Sequence, residues 1–300
     1  MVPVLLGMTI VVFFLIHLIP GDPARAMLGI RATPQAVQVL RHEWGLDQSL
    51  PVQYGLFMLR LLHGDLGDSL FYHLPTVSLI GQHLPVTLLL LFYAGVFSIL
   101  ITVPLASLAA SHKDGWQDQL VRIFPLIGLG MPSFWIGNML ILLLALNVHI
   151  FPVGGYGQTL PQHLLSMVLP GLTIAVGIAP LLIRSLRASM LSVLEAEYVT
   201  TARSKGISSF RVLTRHVIRN AVLPTITILS INIGFLVGGT IVIESVFALP
   251  GIGNLMIQAI LNRDFPVVQG VTLVFGIMVV IVNLSSDVLY SALDPRVKFR

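Results

Sequence analysis

The stretch EYVTTARSKGISSFRVLTRHVIRNAVLP, residues 197–224, is polar and basic, and it lies between two long apolar runs. Gly206 interrupts its helical pattern, and Ser208 can cap a second helix after that break. Two stripes follow at helical spacing, one apolar (Ile207, Phe210, Leu213, Val217) and one basic (Arg211, Arg215, Arg219). The pattern predicts a helix–Gly–helix element that either receives a partner protein or lies on an anionic lipid surface.

The composition of the remaining chain indicates a membrane protein. Hydrophobic residues make up 55% of the 300 positions and charged residues only 10%, whereas a soluble domain carries about 25% charged residues. The basic residues gather in a few segments between apolar runs, which argues against nucleic acid as the partner. The chain has no cysteine, so it has no disulfide, thiol nucleophile or cysteine-based metal site.

The sequence contains six apolar runs that are long enough to span a bilayer. A spanning helix needs about 20 mostly apolar residues. They cover 2–19, from after Pro85 to 110, 120–147, 164–183, 222–247 and 267–284. Prolines at 125, 132, 170 and 180 predict kinks in the third and fourth helices. The first run also allows a signal-peptide interpretation, but it lacks a basic n-region and is long for an h-region, which favours an uncleaved helix.

Lysine and arginine placement predicts that both termini are cytoplasmic. In that orientation twelve of the 17 basic residues lie inside, as the positive-inside rule requires. The inside residues are Lys113, Arg122, Arg184, Arg187, Arg203, Lys205, Arg211, Arg215, Arg219, Arg296, Lys298 and Arg300. The expected divisions are a first helix at 1–19, an extracytoplasmic segment at 20–84, a five-helix domain at 85–290 and a tail at 291–300.

The extracytoplasmic segment is expected to be folded and helical rather than loose. Thr33 is a good N-cap ahead of Pro34, and Gly45 can close that helix. Val37, Leu40 and Trp44 would share its apolar face, and Pro51 opens a second amphipathic helix. A packed cap explains these features better than a catalytic role does.

The basic stretch resembles the coupling loop of the permease subunits of binding-protein-dependent ABC importers, above all the oligopeptide, dipeptide and nickel branch. The resemblance rests on EYVTTARSKG at 197–206 and RNAVLP at 219–224. Further motifs agree in order and separation: PGDP (20–23), GLDQ (45–48), GDLG (64–67), MPSFW (131–135), ESVF (244–247), PGIG (250–253), RDFPVVQ (263–269) and DPR (294–296). One departure is that Thr200-Thr201-Ala202 stands where the general loop begins Glu-Ala-Ala.

The resemblance implies an all-α type I importer fold with six transmembrane helices in a bacterial inner membrane. It implies a coupling loop at about 186–222 that docks a separate ATPase through Tyr198, Ala202, Arg203, Lys205, Gly206, Arg211, Arg215 and Arg219. The partners would be a second, homologous permease, two ATP-binding-cassette ATPases that carry ATP and Mg²⁺, an extracytoplasmic solute-binding protein and membrane lipid. Peptides would be the first substrate class, with glutathione or nickel as alternatives, and this chain would carry no cofactor.

Polar and small residues within the apolar runs supply further candidates. Asn138, Asn232 and Glu244 are candidates for the transport pathway, or they form hydrogen bonds between helices. Gly234, Gly238 and Gly239 permit close helix approach and are candidates for the contact with the second permease. Most histidines lie outside in this topology, but none shows the i, i+4 spacing of a metal site.

Two other functional classes were weighed against transport driven by a separate ATPase. An integral-membrane enzyme would need a catalytic motif, and neither H-E-x-x-H nor G-x-S-x-G occurs. A passive channel would need no coupling segment. No G-x-x-x-x-G-K-[ST] motif occurs either, so ATP hydrolysis by that motif must belong to another polypeptide.

Overall fold

A computed structural model describes residues 2–17, 22–29 and 32–293, and most of these residues are helical. The helices are α1 (Val2–His17), α2 (Pro23–Leu28), α3 (Pro34–Glu43), α4 (Leu50–Leu62), α5 (Thr76–Ser111), α6 (Trp116–Gly130), α7 (Ser133–Leu140), α8 (Leu160–Ser166), α9 (Val168–Leu194), α10 (Glu197–Ser204), α11 (Ser209–Arg211), α12 (Arg219–Val246), α13 (Ile252–Leu261) and α14 (Phe265–Leu293). Segments of π-helix follow α7 (Ile141–Leu146) and α11 (Val212–Ile218). The predicted DPR motif lies outside the described residues.

The long apolar helices account for part of the predicted membrane-spanning set. Within the described ranges three are long and apolar enough to cross a bilayer: Thr76–Ser111, Leu160–Leu194 and Phe265–Ser286. Ser209–Asn232 and Val237–Val246 would form a fourth span if taken together, and they are bent by 66°. Helix α1 is apolar but shorter. A count of six spans therefore stays a prediction.

Two helix starts predicted from prolines are wrong. Helix α5 begins at Thr76, so Pro85 and the predicted division at residue 84 both fall inside it. Helix α12 begins at Arg219 and contains Pro224, which was predicted to open it. A proline removes only one backbone donor, and in a membrane helix bundle the freed carbonyl finds other partners.

The predicted third span is broken rather than kinked at Pro132. Helix α6 ends at Gly130, Met131 is extended at φ −104° and ψ 126°, and α7 restarts at Ser133. The ring of a proline clashes with a helical residue before it, which explains the extended backbone of Met131.

Two compact units make up the chain. The first comprises residues 1–87 and 250–280, and the second comprises residues 88–249 and 281–300. In the first unit Ala24 and Leu40 form a small core with Val37, Trp44 and neighbouring apolar side chains. The Thr33 hydroxyl accepts from Ala36 N at 3.2 Å, and Gly45 adopts φ +66° after α3, which confirms the predicted cap and ending. Helices α2 and α13 were not predicted.

Asp264 holds the first unit together at the start of α14. Its carboxylate is fully buried and accepts a hydrogen bond from the Ser69 hydroxyl. It also accepts from the backbone N–H groups of Leu70 at 3.3 Å and Phe71 at 3.4 Å. A buried carboxylate is stable only when it is paired in this way. Asp264 therefore fixes the turn before α5 against α14.

Helix α9 is the central element of the second unit, where it packs against α6, α7 and α12. Gly171 allows a close approach to α5, since a Cβ at this position would lie 2.7 Å from Tyr93 Cβ and 3.2 Å from its carbonyl carbon. The buried residues of α9 extend from Leu169 to Met190. Helix α9 therefore connects the core of the second unit to α10, which follows it in the chain.

A buried ion pair joins α9 to α6. Arg187 donates from Nε to Asp118 Oδ1 at 2.5 Å and from Nη2 to Oδ2 at 2.6 Å, while Asp114 N donates to Oδ2 at 3.1 Å. Asp118 is fully buried in the first turn of α6, where the helix dipole favours an anion. These interactions, the Arg187 hydrogen bonds first, lower the pKa of Asp118.

We predict that Asp118→Asn destabilises the chain by about 3–5 kcal/mol, because it leaves the largely buried Arg187 guanidinium without its counter-charge. Lys113→Gln is the matched control, since the exposed Lys113–Glu195 pair at 3.2 Å is worth at most about 1 kcal/mol. Denaturant unfolding in detergent measures both changes.

The pH dependence gives a second readout for the same pair. Because the folded pKa of Asp118 lies below its unfolded value, the pair's contribution is complete above about pH 4 and is lost as the pH falls through the folded pKa. Asp118→Asn should remove that part of the acid sensitivity. Equal unfolding free energies for Asp118→Asn and Lys113→Gln would contradict this assignment.

Candidate functional site

Helix α10 ends in a turn that requires glycine. Gly206 N donates to Arg203 O at 2.9 Å, and Ile207 N donates to Ala202 O at 3.3 Å. Gly206 itself adopts φ +77°. These two bonds around a left-handed residue form a Schellman ending, in which glycine avoids the steric cost of a Cβ. The predicted break at Gly206 is therefore confirmed.

The chain after Gly206 continues without interruption into the membrane helix. Ser208 occupies the N-cap position, although its side chain makes no capping hydrogen bond. Helix α11, the π-helix Val212–Ile218 and α12 then follow one another without a gap. The element is thus one short helix, a glycine turn and the first turns of a long helix, instead of two short helices.

The π-helix changes which side chains face inward. Val212 and Val217 are buried, five residues apart, as i→i+5 hydrogen bonding favours. Phe210 is 77% exposed, so its predicted place on the apolar face is wrong. An apolar pattern with a period of 3.6 residues places Phe210 inward, but in the structure Phe210 lies in α11, just before the π-helix, and its ring is left uncovered.

Beneath the element lies an apolar core that it shares with the bundle. Val199 and Ala202 from α10 and Val212 and Val217 from the π-helix pack in one cluster with side chains of α5, α6 and α9. Ala202 is therefore a packing residue in the structure, and its predicted contact with the ATPase stays a prediction. The four side chains bind the element to the bundle, so that it moves with the helices beneath it.

The outer surface of the element carries the predicted basic residues. We call the exposed side chains of Arg203, Lys205, Arg211, Arg215 and Arg219 the basic face. Across residues 2–17, 22–29 and 32–293 none of these five forms an ion pair. The basic face is thus available to acidic groups of another molecule.

Two aromatic residues accompany the basic face. Tyr198 is 46% exposed and its hydroxyl accepts from Asn220 Nδ2 at 3.2 Å, while the same Nδ2 donates to His216 O at 2.7 Å. This network ties α10 to the start of α12. Phe210, with no covering side chain over most of its surface, adds an apolar contact beside Arg211.

The three pathway candidates have different surroundings. Asn138 is exposed on α7, and Asn232 donates to Ile228 O of its own helix at 2.7 Å. Glu244 is fully buried in α12 and is engaged in an interaction there. Their role in transport stays a prediction.

The glycines of α12 leave room for another helix. A Cβ added at Gly238 or Gly239 would meet nothing within 4 Å among the described residues, apart from its chain neighbours and the nearby backbone of its own helix. Their side of α12 is accordingly open to close approach, while Gly234 lies one turn earlier on the same helix. Contact with a second permease at these glycines stays a prediction.

Family models match almost the whole chain. The model described as the inner membrane component of binding-protein-dependent transport systems matches residues 102–299. A model of the N-terminal part of such membrane components matches residues 1–91. The chain belongs to this family. It is therefore a multi-pass inner-membrane protein and a transport subunit, not an enzyme, and the resemblance found in its sequence is confirmed.

Relatives align with this chain over almost their full length. A Brucella abortus protein named as a peptide transport system permease is 40% identical, over 99% of this chain and 96% of the relative. The dipeptide transport system permease protein DppB of Alkalihalophilus pseudofirmus is 37% identical, over 100% and 97%. The glutathione transport system permease protein GsiC of Salmonella paratyphi A is 34% identical, over 100% and 96%.

Solved structures show the same fold at low sequence identity. A chain of the MetNI methionine ABC transporter, in an inward-facing conformation, superposes with a TM-score of 0.60 and 17% identity, over 72% of this chain and 96% of that one. A chain of an amino acid ABC transporter superposes with a TM-score of 0.51 and 16% identity, over 73% and 94%. This chain therefore shares the helical fold of these two transporter chains.

We predict that Gly206→Ala destabilises the α10 ending by about 1–2 kcal/mol, because a Cβ is strained at φ +77° even though no neighbour lies nearby. Gly206→Asn should cost less, since asparagine tolerates this conformation. Hydrogen exchange at the amides of Gly206 and Ile207 measures the change. Gly55→Ala, in the interior of α4 with open space around it, is the control and should not lower stability. Unchanged exchange in Gly206→Ala would contradict the assigned turn.

Proposed function

We propose that this chain is one of two homologous permease subunits of an ATP-driven peptide importer, in which the basic face receives an ATPase subunit. The observation that supports it most is the basic face itself, five unpaired cations on an element seated in the core of the bundle. The same segment also exposes two aromatic side chains, Tyr198 and Phe210. Arginine and exposed aromatic residues are typical of protein interfaces.

A force exerted by the ATPase would reach α12 because α11, the π-helix and α12 form one continuous helix. A force applied at Arg211 or Arg215 acts on residues that run directly into α12. A force applied at α10 acts through Val199 and Ala202 on the core that contains the end of α9. Both helices would therefore move with the element when the ATPases close, which is what alternating access by moving bundles requires.

Peptides are the proposed substrate class because two of the relatives are named for peptide and dipeptide transport. The glutathione permeases among the relatives make glutathione the first alternative. Nickel stays an alternative from the sequence resemblance, and none of the three relatives described above is named for nickel transport.

The proposed assembly has the two permeases side by side, two ATPases on the cytoplasmic side and a solute-binding protein outside. Six spans with both termini inside would place the basic face in the cytoplasm and the 22–75 region outside. The open side of Gly238 and Gly239 would lie against the second permease. ATP and Mg²⁺ would be bound by the ATPases.

We predict that Arg203→Glu combined with Arg215→Glu lowers the amount of ATPase that co-purifies with the permease about tenfold or more, since it replaces two charge-assisted contacts by repulsion. The permease should still reach the membrane, because both side chains are exposed and outside the core. Quantitative co-purification of tagged permease with its ATPases measures the effect.

The matched control makes the same change, arginine to glutamate, at two positions away from the basic face. Arg25→Glu combined with Arg263→Glu also alters two exposed arginines, but in the first unit. The control should retain the ATPases at the wild-type ratio. Equal retention by both double variants would show that the basic face does not receive the ATPase.

A further inference from the structure

Helix α4, in the first unit, has an exposed apolar face. Four aliphatic side chains lie on it at spacings of three or four residues, so they share one side of the helix. Each of them is between 42% and 78% exposed. We call these four the α4 face: Val52, Leu56, Leu59 and Leu62. A helix that faces water carries charged and polar side chains on its outer side, so this face is unusual for a helix in an aqueous segment.

The polar side chains of α4 turn toward the protein instead of outward. Gln53 is 8% exposed; its Nε2 donates to Gln48 O at 2.8 Å, and its Oε1 lies 3.0 Å from His17 Nε2. Arg60 is the charged residue of this helix, and its guanidinium lies over the Trp44 ring, 6.0 Å from the centroid. The α4 face is therefore left without a hydrogen-bonding side chain.

Helix α3, which precedes α4 in the chain, shows the ordinary pattern of a helix in water. It exposes mainly polar side chains, among them Gln35, Gln38 and Glu43, and it buries Leu40. Helix α4 has 13 residues and is apolar on both sides. An apolar helix of this length is typically either a buried core helix or an interfacial membrane segment. The exposure of the α4 face excludes the first of these.

Contacts with α1 fix where α4 lies along that helix. The hydroxyls of Tyr54 and Thr9 are 2.9 Å apart. The rings of Tyr54 and Phe57 lie 5.4 and 6.0 Å from the ring of Phe13. At a rise of 1.5 Å per residue, Thr9 is about 12 Å along the axis from the end of α1 at His17. Helix α4 therefore lies beside the apolar length of α1, and not beyond its end.

The surface of α1 beside this contact is also apolar and exposed. Ile10, Val11 and Phe14 all point outward, and the Phe14 ring lies 5.3 Å from that of Phe13, which α4 contacts. The α4 face thus continues the exposed apolar surface of α1. In an inner-membrane protein, lipid hydrocarbon covers such a surface without requiring a hydrogen bond from it.

We propose that α4 is an interfacial membrane helix, with the α4 face against phospholipid acyl chains just below the headgroups. In the orientation predicted from lysine and arginine placement, this is the outer leaflet. A groove of about 370 Å³ runs beside Leu56, and Trp44, Glu43 and Gln48 border it. These three residues would lie at headgroup level, where tryptophan is enriched and where an interfacial helix keeps its polar border.

A protein partner fits the α4 face less well than lipid does. Protein interfaces carry about one hydrogen bond per 100–200 Å², and the four side chains of this face can neither donate nor accept one. The proposal rests on the insertion of α1 in the membrane. It does not depend on the proposed contact with an ATPase.

The test is spin labelling of the full chain, which has no cysteine of its own, in nanodiscs of phosphatidylethanolamine and phosphatidylglycerol without other proteins. Leu56→Cys and Leu59→Cys each carry one nitroxide, whose collision rates with oxygen and with a polar nickel complex are measured. The oxygen-to-nickel ratio should be at least about tenfold higher than at Gln38→Cys on α3, because hydrocarbon excludes the polar complex. Val11→Cys, on the exposed side of α1, is the reference for a lipid-facing position.

A membrane-impermeant maleimide gives a second measurement on the same variants. Leu56→Cys and Leu59→Cys should react at least about tenfold more slowly than Gln38→Cys, since an apolar environment suppresses the thiolate, and all three should react equally after unfolding in SDS. Nickel access at positions 56 and 59 with a lipid-like ratio at 11 would overturn the placement of α4 alone. Nickel access at all three would show that α1 is not inserted, which also overturns it. Protection from both oxygen and nickel at 56 and 59 would mean that protein covers the face, and the proposal would be wrong.

Discussion

The packing of α10 and the π-helix on the end of α9 is the interaction on which the proposed coupling to an ATPase depends. Without Val199, Ala202, Val212 and Val217 in the core, the basic face would be a loose cationic loop. Burial of each such side chain contributes about 1–3 kcal/mol. The cluster therefore makes a polar, cation-rich segment part of the rigid bundle, and a rigid segment can transmit a push.

The membrane allows the same chain to carry prolines inside its longest helices. Pro180 and Pro224 lie within α9 and α12, one before and one after the segment that carries the basic face. Each leaves one carbonyl without its usual donor, which in a bundle can be satisfied by neighbours and which softens the helix locally. The element is thus firmly packed at its base while the helices that leave it can still bend.

The sequence predicted the class of protein, the family and the position of the basic element, because these depend on composition, charge placement and the Gly206 turn. It also predicted the cap at Thr33 and the ending at Gly45, which are local backbone features. It misplaced the starts of α5 and α12, because proline predicts a helix boundary and here tertiary packing tolerates it inside a helix. The Asp118–Arg187 pair and the exposure of Phe210 depend on how distant segments of the chain pack, and such packing leaves no periodic trace in the sequence.

The most direct test of the proposed coupling role uses the exposed ring of Phe210, which lies in α11 just before the π-helix. A photo-reactive benzoylphenylalanine in place of Phe210, in the full transporter expressed with its partner genes, should cross-link to an ATPase subunit after irradiation. The same replacement at Phe92, which is 63% exposed on α5, should give no ATPase cross-link. If position 210 yields cross-links only to lipid or to the extracytoplasmic binding protein, the element does not receive the ATPase, and the account of how this permease is driven is wrong.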